Sequence, residues 1–262
     1  EVNGLTSSIA RMNLYLNGVE DFSIACADTL EHPAFLDGSH LRKFDIVLAN
    51  PPYSIKEWNR EKFMNDKWGR NFLGTPPQGR ADYAFLQHII ASMNETQGRC
   101  AILFPHGVLF RDEELELRKK LVEIDILDCI IGLGANLFYN SPMEACILIC
   151  NCSKANSKKN RVLMINAVNE VTRKNAESML LAEHIQKIVN AYQQNRELDG
   201  FSRIVSNDEI REKKFNLNIS LYAYQSVLQD ALTVSKEDAI NVWISSHSQC
   251  INEMDELIKL IK

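Results

Sequence analysis

Residues 1–168 alternate between short apolar runs and stretches in which apolar positions recur at helical spacing. Apolar residues return every three or four positions in 5–16, 83–93 and 113–124, which predicts amphipathic helices there. Near-continuous apolar runs predict buried strands at 22–27, 44–49, 100–104, 126–133, 145–152 and 161–168. Strands without polar alternation are typical of a parallel sheet that helices cover on both faces. The pattern therefore predicts an α/β fold with a mainly parallel sheet.

Beyond about residue 170 the pattern changes to helices. The tetrapeptide Ser206-Asn207-Asp208-Glu209 has the residue types of a capping box, in which side chains accept the free amides at a helix start. Apolar positions in 251–261 again follow helical spacing, which predicts an amphipathic helix near the end of the chain. A helical extension is therefore expected after the sheet.

The 262-residue chain has 45% hydrophobic and 24% charged residues, which is ordinary for a globular protein. This composition excludes disordered, collagen-like and small disulfide-linked proteins. All apolar runs are shorter than the roughly 18 residues that a membrane-spanning helix needs, so we predict no membrane contact. The net charge of −5 argues against binding nucleic acid through overall charge alone, but it is compatible with a local basic site.

The chain has 7 cysteines, an odd number. Cys100, Cys129, Cys146 and Cys150 occur in apolar runs, where free thiols are commonly buried. The sequence contains no Cys-x-x-Cys pair, and the Cys-Asn-Cys string at 150–152 has no partner cluster for zinc. We therefore predict reduced thiols, a cytoplasmic location and no bound metal.

The most informative string is Asn50-Pro51-Pro52-Tyr53, which directly follows the apolar run 44–49. In open α/β sheets ligands bind beyond the carboxyl ends of the strands, so this string is predicted at a binding edge. The Asn50 side-chain oxygen and the Pro51 carbonyl are acceptors that suit an amino group which must become more nucleophilic. The Tyr53 ring offers a flat face for stacking a base, worth about 1–3 kcal/mol. The alternative is a plain strand-ending turn, because Asn-Pro and Pro-Pro are common turn signals.

At this string the sequence resembles the amino-methyltransferases that use S-adenosylmethionine, which share an Asn/Asp-Pro-Pro-Tyr/Phe motif. Over most of residues 1–224 it resembles the modification (M) subunit of type I restriction–modification systems. The wider resemblance rests on 1–3, 11–14, 27–30, 44–54 (FDIVLANPPYS), 79–90 (GRADYAFLQHII), 104–111 (FPHGVLFR), 134–149 (GANLFYNSPMEACILI) and 215–222 (FNLNISLY). It implies a doubly wound, Rossmann-like methyltransferase sheet with a C-terminal helical extension.

The resemblance also implies a chemistry, because the family methylates N6 of adenine in DNA with S-adenosylmethionine as the methyl donor. It implies that Glu1 binds the ribose hydroxyls of the cofactor, that Asp28 binds its adenine amine, and that Asn50 contacts it as well. The whole Asn-Pro-Pro-Tyr string matches the catalytic loop that holds a flipped target adenine. The implied partners are double-stranded DNA, a specificity subunit and a restriction subunit.

Residues 54–80 show no clear period and are expected to form a long loop. Basic and aromatic residues interleave there, a mixture that suits contact with a phosphate backbone and an extruded base. The predicted DNA-binding residues are Lys56, Arg60, Lys62, Lys67, Arg70 and Arg80. We expect a flexible cover over the site that orders on DNA. The alternative is a solvated loop whose aromatic residues pack on the body of the protein.

One feature of the family is missing, because its Gly-rich turn after the first strand has no counterpart in this sequence. The Gly-x-Gly string at 132–134 lacks the later glycine and the downstream acid of a dinucleotide fingerprint. We predict that this string belongs to the turn of a hairpin. The chain is then expected to be the carboxyl-terminal portion of an M subunit, with an incomplete sheet, weak or absent cofactor binding and no activity of its own.

These observations predict a methyltransferase core at 1–168, the last part of the catalytic domain at 169–224 and a helical tail at 225–262. The tail is expected to contact another subunit or to pack on its own domain. Two other functions stay open. The same tetrapeptide occurs in enzymes that methylate a glutamine amide of release factors, although the stretches 79–90 and 215–222 argue against them. The chain could instead be a non-catalytic scaffold or subunit-contact module.

Overall fold

The structure, a computed structural model, describes residues 1–138, 142–174, 177–224 and 240. The chain divides into two compact units, Glu1–Tyr224 and Gln225–Lys262. All helices and strands named below belong to the first unit. Apart from residue 240, the predicted helical tail lies outside the described residues, and the predicted domain boundaries stay a prediction.

One large sheet forms the centre of the first unit. Its strands are β3 (Ile46–Ala49), β4 (Arg99–Pro105), β5 (Leu127–Leu133), β6 (Ala145–Asn151), β7 (Arg161–Ala167) and β10 (Ser202–Ser206). Two small hairpins consist of β1 (Leu36–Asp37) with β2 (His40–Leu41), and β8 (Thr172–Lys174) with β9 (Glu177–Met179). The strand order in the large sheet is β10-β7-β5-β6-β4-β3. All the predicted strands after the first one are therefore confirmed.

The large sheet is mixed: β3, β4, β5 and β7 run in one direction, as a mainly parallel sheet requires, whereas β6 and β10 run against them. β3 lies parallel to β4, and β5 lies parallel to β7, but β6 runs antiparallel to both of its neighbours. The reason is that β5 and β6 form a hairpin, so β6 is inserted between two strands that run the other way. The predicted hairpin is therefore present, but Gly132 and Leu133 of the Gly-x-Gly string belong to β5, and only Gly134 lies in the connection to β6. A Cβ on Gly134 would lie 2.5 Å from the Val168 carbonyl oxygen, so only glycine fits at this close approach.

The three helices predicted from spacing at 5–16, 83–93 and 113–124 are confirmed, whereas the helix Arg60–Met64 lies in the stretch 54–80 that is predicted to be a loop. The helices are α1 (Gly4–Leu16), α2 (Arg60–Met64), α3 (Asp82–Ala91), α4 (Leu115–Glu123), α5 (Ala182–Gln194) and α6 (Asn207–Glu212). Short 3-10 turns lie at His106–Leu109, Asp112–Glu114, Asn156–Lys158 and Ile219–Leu221. The Ser206 hydroxyl accepts a hydrogen bond from the Glu209 amide at 3.1 Å, so the predicted cap forms at the start of α6. No helix in the described part of the chain is both long enough and apolar enough to cross a bilayer.

Two further segments differ from their predictions. The apolar run 22–27 predicts a strand but has no regular secondary structure. A strand needs a hydrogen-bonded neighbour along its length, and the backbone of Glu1 contacts this run at just Ala25 and Ala27 among the described backbone bonds. β10 is a strand in a region that is predicted to be helical, since the sequence pattern indicates only helices after about residue 170. It pairs antiparallel with β7, and its apolar part is too short to stand out without that neighbour.

Helices cover both faces of the central strand β5, as the apolar runs predict. Ile130 packs in one hydrophobic cluster with side chains of α3 and α4, whereas Cys129 and Ile131 pack in a second cluster with α5. The edge strand β3 differs, because Ile46 and Leu48 expose 61% and 77% of their surface. The sheet therefore has a covered centre and an open edge at β3, next to the Asn-Pro-Pro-Tyr string.

Candidate active site

The Asn-Pro-Pro-Tyr string leaves the carboxyl end of β3, which lies parallel to β4. Prolines cannot donate backbone hydrogen bonds, so the ladder with β4 ends at Ala49 and the chain turns away. Pro51 is buried, whereas Asn50 is exposed. The string therefore presents a polar acceptor at the edge where α/β sheets bind ligands.

A cavity of about 620 Å³ lies beside this string. Its walls include the predicted cofactor residues Glu1 and Asp28 and the predicted catalytic residues Asn50, Pro51 and Pro52. Apolar side chains contribute much of the remaining wall, among them Leu30, Pro33, Phe35, Phe44, Ile46, Leu48, Trp58 and Phe85. The fold thus brings together, around one space, residues that are far apart in the sequence.

Tyr53 has a different environment from the residues before it. Its phenol is partly buried near Cys146 and Asp82. Burial raises the pKa of Tyr53 above its ordinary value, and these two neighbours raise it further. The phenol therefore stays neutral at physiological pH, so the ring can act as a stacking surface but not as a base.

Asp28 combines a turn with a place in the cavity wall. Its Oδ1 atom accepts hydrogen bonds from the amides of Leu30 and Glu31 at 2.9 and 3.0 Å, which forms an Asx turn. The Glu1 carboxylate likewise accepts the Asn3 amide at 2.9 Å. Local backbone contacts therefore orient both acids at the cavity.

Arg70 corrects the DNA-binding prediction. Its side chain is 1% exposed and forms an ion pair with Asp66 at 2.6 Å, so it cannot reach a phosphate. The guanidinium also donates to the carbonyl oxygens of Thr29 at 2.8 Å and Leu30 at 2.7 Å, two residues of the cavity wall. The loop composition could not reveal this, because arginine in a polar loop is usually exposed. Arg70 supports the wall that contains Asp28.

His88 lies between Arg70 and the cavity, and it belongs to the cavity wall. Its Nδ1 atom is 3.3 Å from Nη1 of Arg70. Burial, together with the positive charge of Arg70, lowers the pKa of His88 to about 4. The imidazole is therefore neutral at physiological pH, and Nδ1 can accept a hydrogen bond from the guanidinium.

The other predicted DNA-binding residues are more accessible. Those that are exposed or partly exposed are Lys56, Arg60, Lys62, Lys67 and Arg80. Arg60 donates through Nε to the Pro76 carbonyl oxygen at 2.8 Å, and Lys62 forms an ion pair with Glu31 at 3.3 Å. Arginine and lysine carry several donors each, so these contacts leave capacity for a phosphate. DNA contact stays a prediction for these residues.

The aromatic residues of the loop 54–80 pack on the body to different degrees. Phe63 is 1% exposed and meets Trp58 edge to face, with ring centroids 5.7 Å apart. Nζ of Lys67 lies over the Trp68 ring, 4.6 Å from its centroid. The sequence left open that the aromatic residues of this loop pack on the body of the protein, and Phe63 does so. Ordering of the loop on DNA stays a prediction.

A buried polar network beneath the Asn-Pro-Pro-Tyr string escaped the sequence analysis. Oδ1 of Asp82 accepts the Ser54 amide at 2.8 Å, and Oδ2 accepts the guanidinium of Arg111 at 2.8 Å. Asp82 is the first residue of α3, and Arg111 follows the turn after β4. The signal that could have found them is a charged residue inside a stretch that carries the family resemblance, since the two lie in 79–90 and 104–111.

Two of the buried thiols, Cys129 and Cys146, are held in their unreactive protonated form. Cys100, Cys129, Cys146 and Cys150 are free and buried, and burial raises the pKa of Cys129 and Cys146. These two thiols therefore stay protonated, whereas the thiolate is the reactive form. In the described part of the chain, no group of three or more His, Cys, Asp or Glu side chains is arranged to hold a metal ion.

A mixed α/β sheet whose Asn-Pro-Pro-Tyr turn borders an acid-lined cavity has the architecture of the Rossmann-like methyltransferases. Residues 1–231 match the family described as N-6 DNA Methylase. The chain therefore belongs to the N-6 DNA methylase family, and the fold and family predicted from the sequence are confirmed.

Two curated relatives are methylase subunits of type I restriction enzymes. The MjaVII methylase subunit of a type I restriction enzyme from Methanocaldococcus jannaschii is 32% identical over 252 residues, which cover 90% of this chain and 42% of the relative. The corresponding MpnII subunit from Mycoplasma pneumoniae is 30% identical, with 89% and 44% covered. This chain thus spans less than half the length of these relatives.

Solved structures agree with the sequence relatives. The methyltransferase subunit of a type I restriction–modification system from Streptococcus thermophilus superposes with a TM-score of 0.77 at 36% identity, covering 85% of this chain and 47% of that one. The M protein of the type I restriction enzyme EcoKI superposes with a TM-score of 0.61 at 20% identity, covering 100% and 59%. The second match shows a shared fold.

Proposed function

We propose that this chain forms the catalytic core of a DNA adenine N6 methyltransferase subunit in a type I restriction–modification system. The reaction transfers the methyl group of S-adenosylmethionine to N6 of a flipped-out adenine held by the Asn-Pro-Pro-Tyr string. The observation that carries the proposal is the convergence of Glu1, Asp28 and Asn50 on one cavity at the end of β3. Membership of the N-6 DNA methylase family supports it.

The cavity suits S-adenosylmethionine in charge and in size. Glu1 and Asp28 provide carboxylate acceptors for ribose hydroxyls and for an adenine amine, and their charge attracts a sulfonium. Apolar rings in the wall, such as Phe35 and Phe85, suit a purine. When bound there, S-adenosylmethionine supplies an electrophilic methyl group. The volume of about 620 Å³ is typical of small-molecule sites.

Asn50 and Pro51 act on the amino group of the target adenine. An aromatic amine is a poor nucleophile because its lone pair is delocalised into the ring. The side-chain oxygen of Asn50 and the carbonyl oxygen of Pro51 each accept a hydrogen bond from this amino group. These two hydrogen bonds favour a more tetrahedral nitrogen and stabilise its developing positive charge. Asn50 is exposed, so the proton that the methylated nitrogen releases can pass to water.

Delivery of the base depends on stacking and on partners. Extrusion of an adenine costs a few kcal/mol, and stacking on the Tyr53 ring offsets part of that cost. The proposed phosphate contacts are Lys56, Arg60, Lys62, Lys67 and Arg80. The net charge of −5 favours DNA binding that this chain shares with another subunit. In the proposed complex, a specificity subunit reads the DNA sequence. A restriction subunit completes the complex, which is located in the cytoplasm.

The test is Asn50→Ala in the complete methyltransferase complex. We expect transfer of labelled methyl groups to adenine in DNA to fall by at least about 100-fold, because an acceptor used in the transition state is lost. Cofactor affinity should change little, since Glu1 and Asp28 remain. Asn65→Ala is the matched control, because Asn65 is an exposed asparagine that is not part of the cavity wall. Wild-type turnover in Asn50→Ala contradicts the proposal, and labelling of a release-factor glutamine instead of DNA favours the alternative enzyme.

Weak cofactor binding by this chain alone is a separate proposal. Ile46 and Leu48 line the cavity and yet remain largely exposed, so the described residues enclose it incompletely. We expect titration calorimetry of the isolated chain to detect no binding at micromolar S-adenosylmethionine. Micromolar affinity would contradict this expectation without affecting the proposed reaction.

A further inference from the structure

Ser54 is the residue at which the Asn-Pro-Pro-Tyr string ends. Its backbone has a φ of 50°, in the left-handed region that non-glycine residues adopt at an energetic cost. One carboxylate holds this conformation: Asp82 accepts the Ser54 amide at 2.8 Å and the Ser54 hydroxyl at 3.3 Å. Tyr53 is one peptide bond away, so its position depends on these contacts.

Asp82 is a fixed anion within the fold. Its side chain is 1% exposed, and as the first residue of α3 it lies at the positive end of the helix dipole. Arg111 donates through Nη1 to Oδ2 of Asp82 at 2.8 Å, and its Nη2 reaches the Ser54 hydroxyl at 3.4 Å. Hydrogen bonds between ionised groups are about twice as strong as neutral ones. Asp82 and Arg111 therefore hold both polar groups of Ser54.

Arg111 is itself held from two sides. A Cβ on Gly107 would lie 2.5 Å from Nε of Arg111, so the guanidinium packs directly on bare glycine backbone. The buried Arg118 donates to the carbonyl oxygen of Arg111 at 2.6 Å and to that of Phe215 at 3.1 Å. The network thus joins the Asn-Pro-Pro-Tyr string to α3, to the segment after β4 and to the segment that begins at Phe215.

We propose that Asp82 and Arg111 are positioning residues, which hold the Asn-Pro-Pro-Tyr string in its reactive geometry through Ser54. This inference rests on the proposed function, because it gives the network a role in that reaction. Within the described residues, the cavity wall does not include Asp82 or Arg111, so they affect the orientation of Asn50 and Tyr53 rather than cofactor binding. A displacement of about 1 Å in an aligned site can lower the rate about 100-fold.

The first test is Asp82→Asn in the complete methyltransferase complex. Asparagine keeps the size of the side chain and one acceptor oxygen, but it removes the charge that holds Arg111. We expect kcat to fall by about 10- to 100-fold, while KM for S-adenosylmethionine and for DNA changes by less than about threefold.

Gly107→Ala is a second, independent variant. Its new methyl group displaces the Arg111 guanidinium while Asp82 and Ser54 stay intact. We expect the same fall in kcat at nearly constant KM. If one variant fails to fold, Arg111→Lys replaces it, because lysine keeps the positive charge and loses the second donor branch. A loss of about tenfold in kcat is expected there.

Hydrogen exchange reports the position of the string without depending on catalysis. The Ser54 amide donates to the charged Asp82 carboxylate, and an asparagine oxygen is a weaker, neutral acceptor. Exchange of this amide should therefore quicken by at least about tenfold in Asp82→Asn. Lys154→Met is the matched control, because Lys154 is 3% exposed and pairs with Asp125 at 2.7 Å beside the amino-terminal end of β5, whereas the Asn-Pro-Pro-Tyr string lies at the carboxyl end of β3. This variant should lower stability without changing kcat or Ser54 exchange.

Wild-type kcat in both Asp82→Asn and Gly107→Ala overturns the positioning role. An equal fall of kcat in Lys154→Met overturns it as well, since general destabilisation then explains the loss. If the wild-type complex transfers no methyl group to adenine, the proposed function fails. In that case unchanged Ser54 exchange in Asp82→Asn is the result that overturns the positioning role, and faster exchange supports it.

Discussion

Two buried arginine–aspartate pairs flank the candidate site, and they are built differently. Arg70 and Asp66 are four residues apart in one loop, and both side chains are 1% exposed. Arg111 and Asp82 come from separate segments that the fold brings to 2.8 Å. The first pair supports the cavity wall, whereas the second holds the end of the Asn-Pro-Pro-Tyr string.

The two pairs differ most in whether the polar groups around them have hydrogen-bond partners. Arg70 directs Nε and both Nη groups to protein acceptors. Beside Arg111 lies Glu114, which is fully buried and whose two carboxylate oxygens have no hydrogen-bond partner within the described residues. Oε2 of Glu114 lies 3.7 Å from Nη1 of Arg111, which is an ion pair without a hydrogen bond. A charge with all its hydrogen bonds formed serves stability, whereas a buried carboxyl without hydrogen bonds costs stability and is common at functional sites. The comparison therefore separates a supporting pair from a positioning pair.

The largest expected effect is on the supporting pair, in Arg70→Met. Removal of the guanidinium leaves the Asp66 carboxylate buried without its partner and releases the carbonyl oxygens of Thr29 and Leu30. We expect the free energy of unfolding to fall by about 3–5 kcal/mol. Denaturant titration measures this value.

Arg203→Met is the control for that experiment. Arg203 pairs with Glu209 at 3.0 Å, but the two side chains are 41% and 24% exposed. Pairs that water reaches contribute up to about 1 kcal/mol. If Arg70→Met costs no more than Arg203→Met, the distinction between a closed pair and an ordinary surface pair is broken.

Glu114→Gln tests the surroundings of the Arg111–Asp82 pair through the pH dependence of stability. Burial raises the pKa of Glu114 from 4.5 to about 7, while the charge of Arg111 opposes that rise and the charge of Asp82 adds to it. The folded state thus disfavours ionisation: the wild type loses stability as the pH rises from about 4.5 to 7. Glutamine carries no charge to titrate. Between about pH 4.5 and 7, the free energy of unfolding of the variant should rise relative to that of the wild type, by up to about 1.4 kcal/mol per pH unit. Above about pH 7 the difference between the two proteins should stay constant.

Glu116→Gln is the matched control, because Glu116 is an exposed acid of α4. Its stability profile should parallel the wild type across the same range. Thermal or denaturant unfolding at a series of pH values provides the measurement. A Glu114→Gln profile that runs parallel to the wild type between about pH 4.5 and 7 would show that Glu114 ionises freely in the fold.

The smallest effect is expected from Lys67→Ala, which compares an exposed cation with the buried Arg70 of the same loop. If Lys67 contacts one phosphate, its loss should reduce the salt dependence of DNA binding by about 0.9 in the log–log slope. The stability of the chain should change by less than about 0.5 kcal/mol. Lys159→Ala is the control, because Lys159 is exposed and precedes the amino-terminal end of β7, outside the loop 54–80. Equal slopes for both variants would remove Lys67 from the proposed DNA contacts.

Periodic burial explains why much of the fold could be predicted. α3 and α4 have apolar residues at helical spacing that pack into the core, and β5 has the near-continuous apolar run of a strand covered on both faces. In α1 the same spacing predicts a helix, although Leu5, Ile9, Met12 and Leu16 remain exposed. The run 22–27 marks the limit, because it resembles β3 in composition and still forms no strand. A strand forms when its backbone hydrogen-bonds to an adjacent strand, and the composition of a segment does not show whether such a strand is present.

The candidate site divides in the same way. The Asn-Pro-Pro-Tyr string could be found because its chemistry is contained in four adjacent residues after an apolar strand. Arg70 and Lys67 could not be separated, since they are cations of one loop with similar surroundings in the sequence. Their difference comes from Asp66, which folds back onto Arg70, and from the carbonyl groups that Arg70 reaches.

By itself, the sequence determined the alternation of helices and strands, the binding edge after β3 and the methyltransferase family. Only the tertiary structure decided that β6 is inserted antiparallel, that Arg70 is buried, and that Asp82 and Arg111 meet at Ser54. Burial leaves a periodic trace along the chain because one face of each element packs against the core. The pairing of charges leaves no such trace, because it depends on which distant atoms the fold brings within hydrogen-bonding distance.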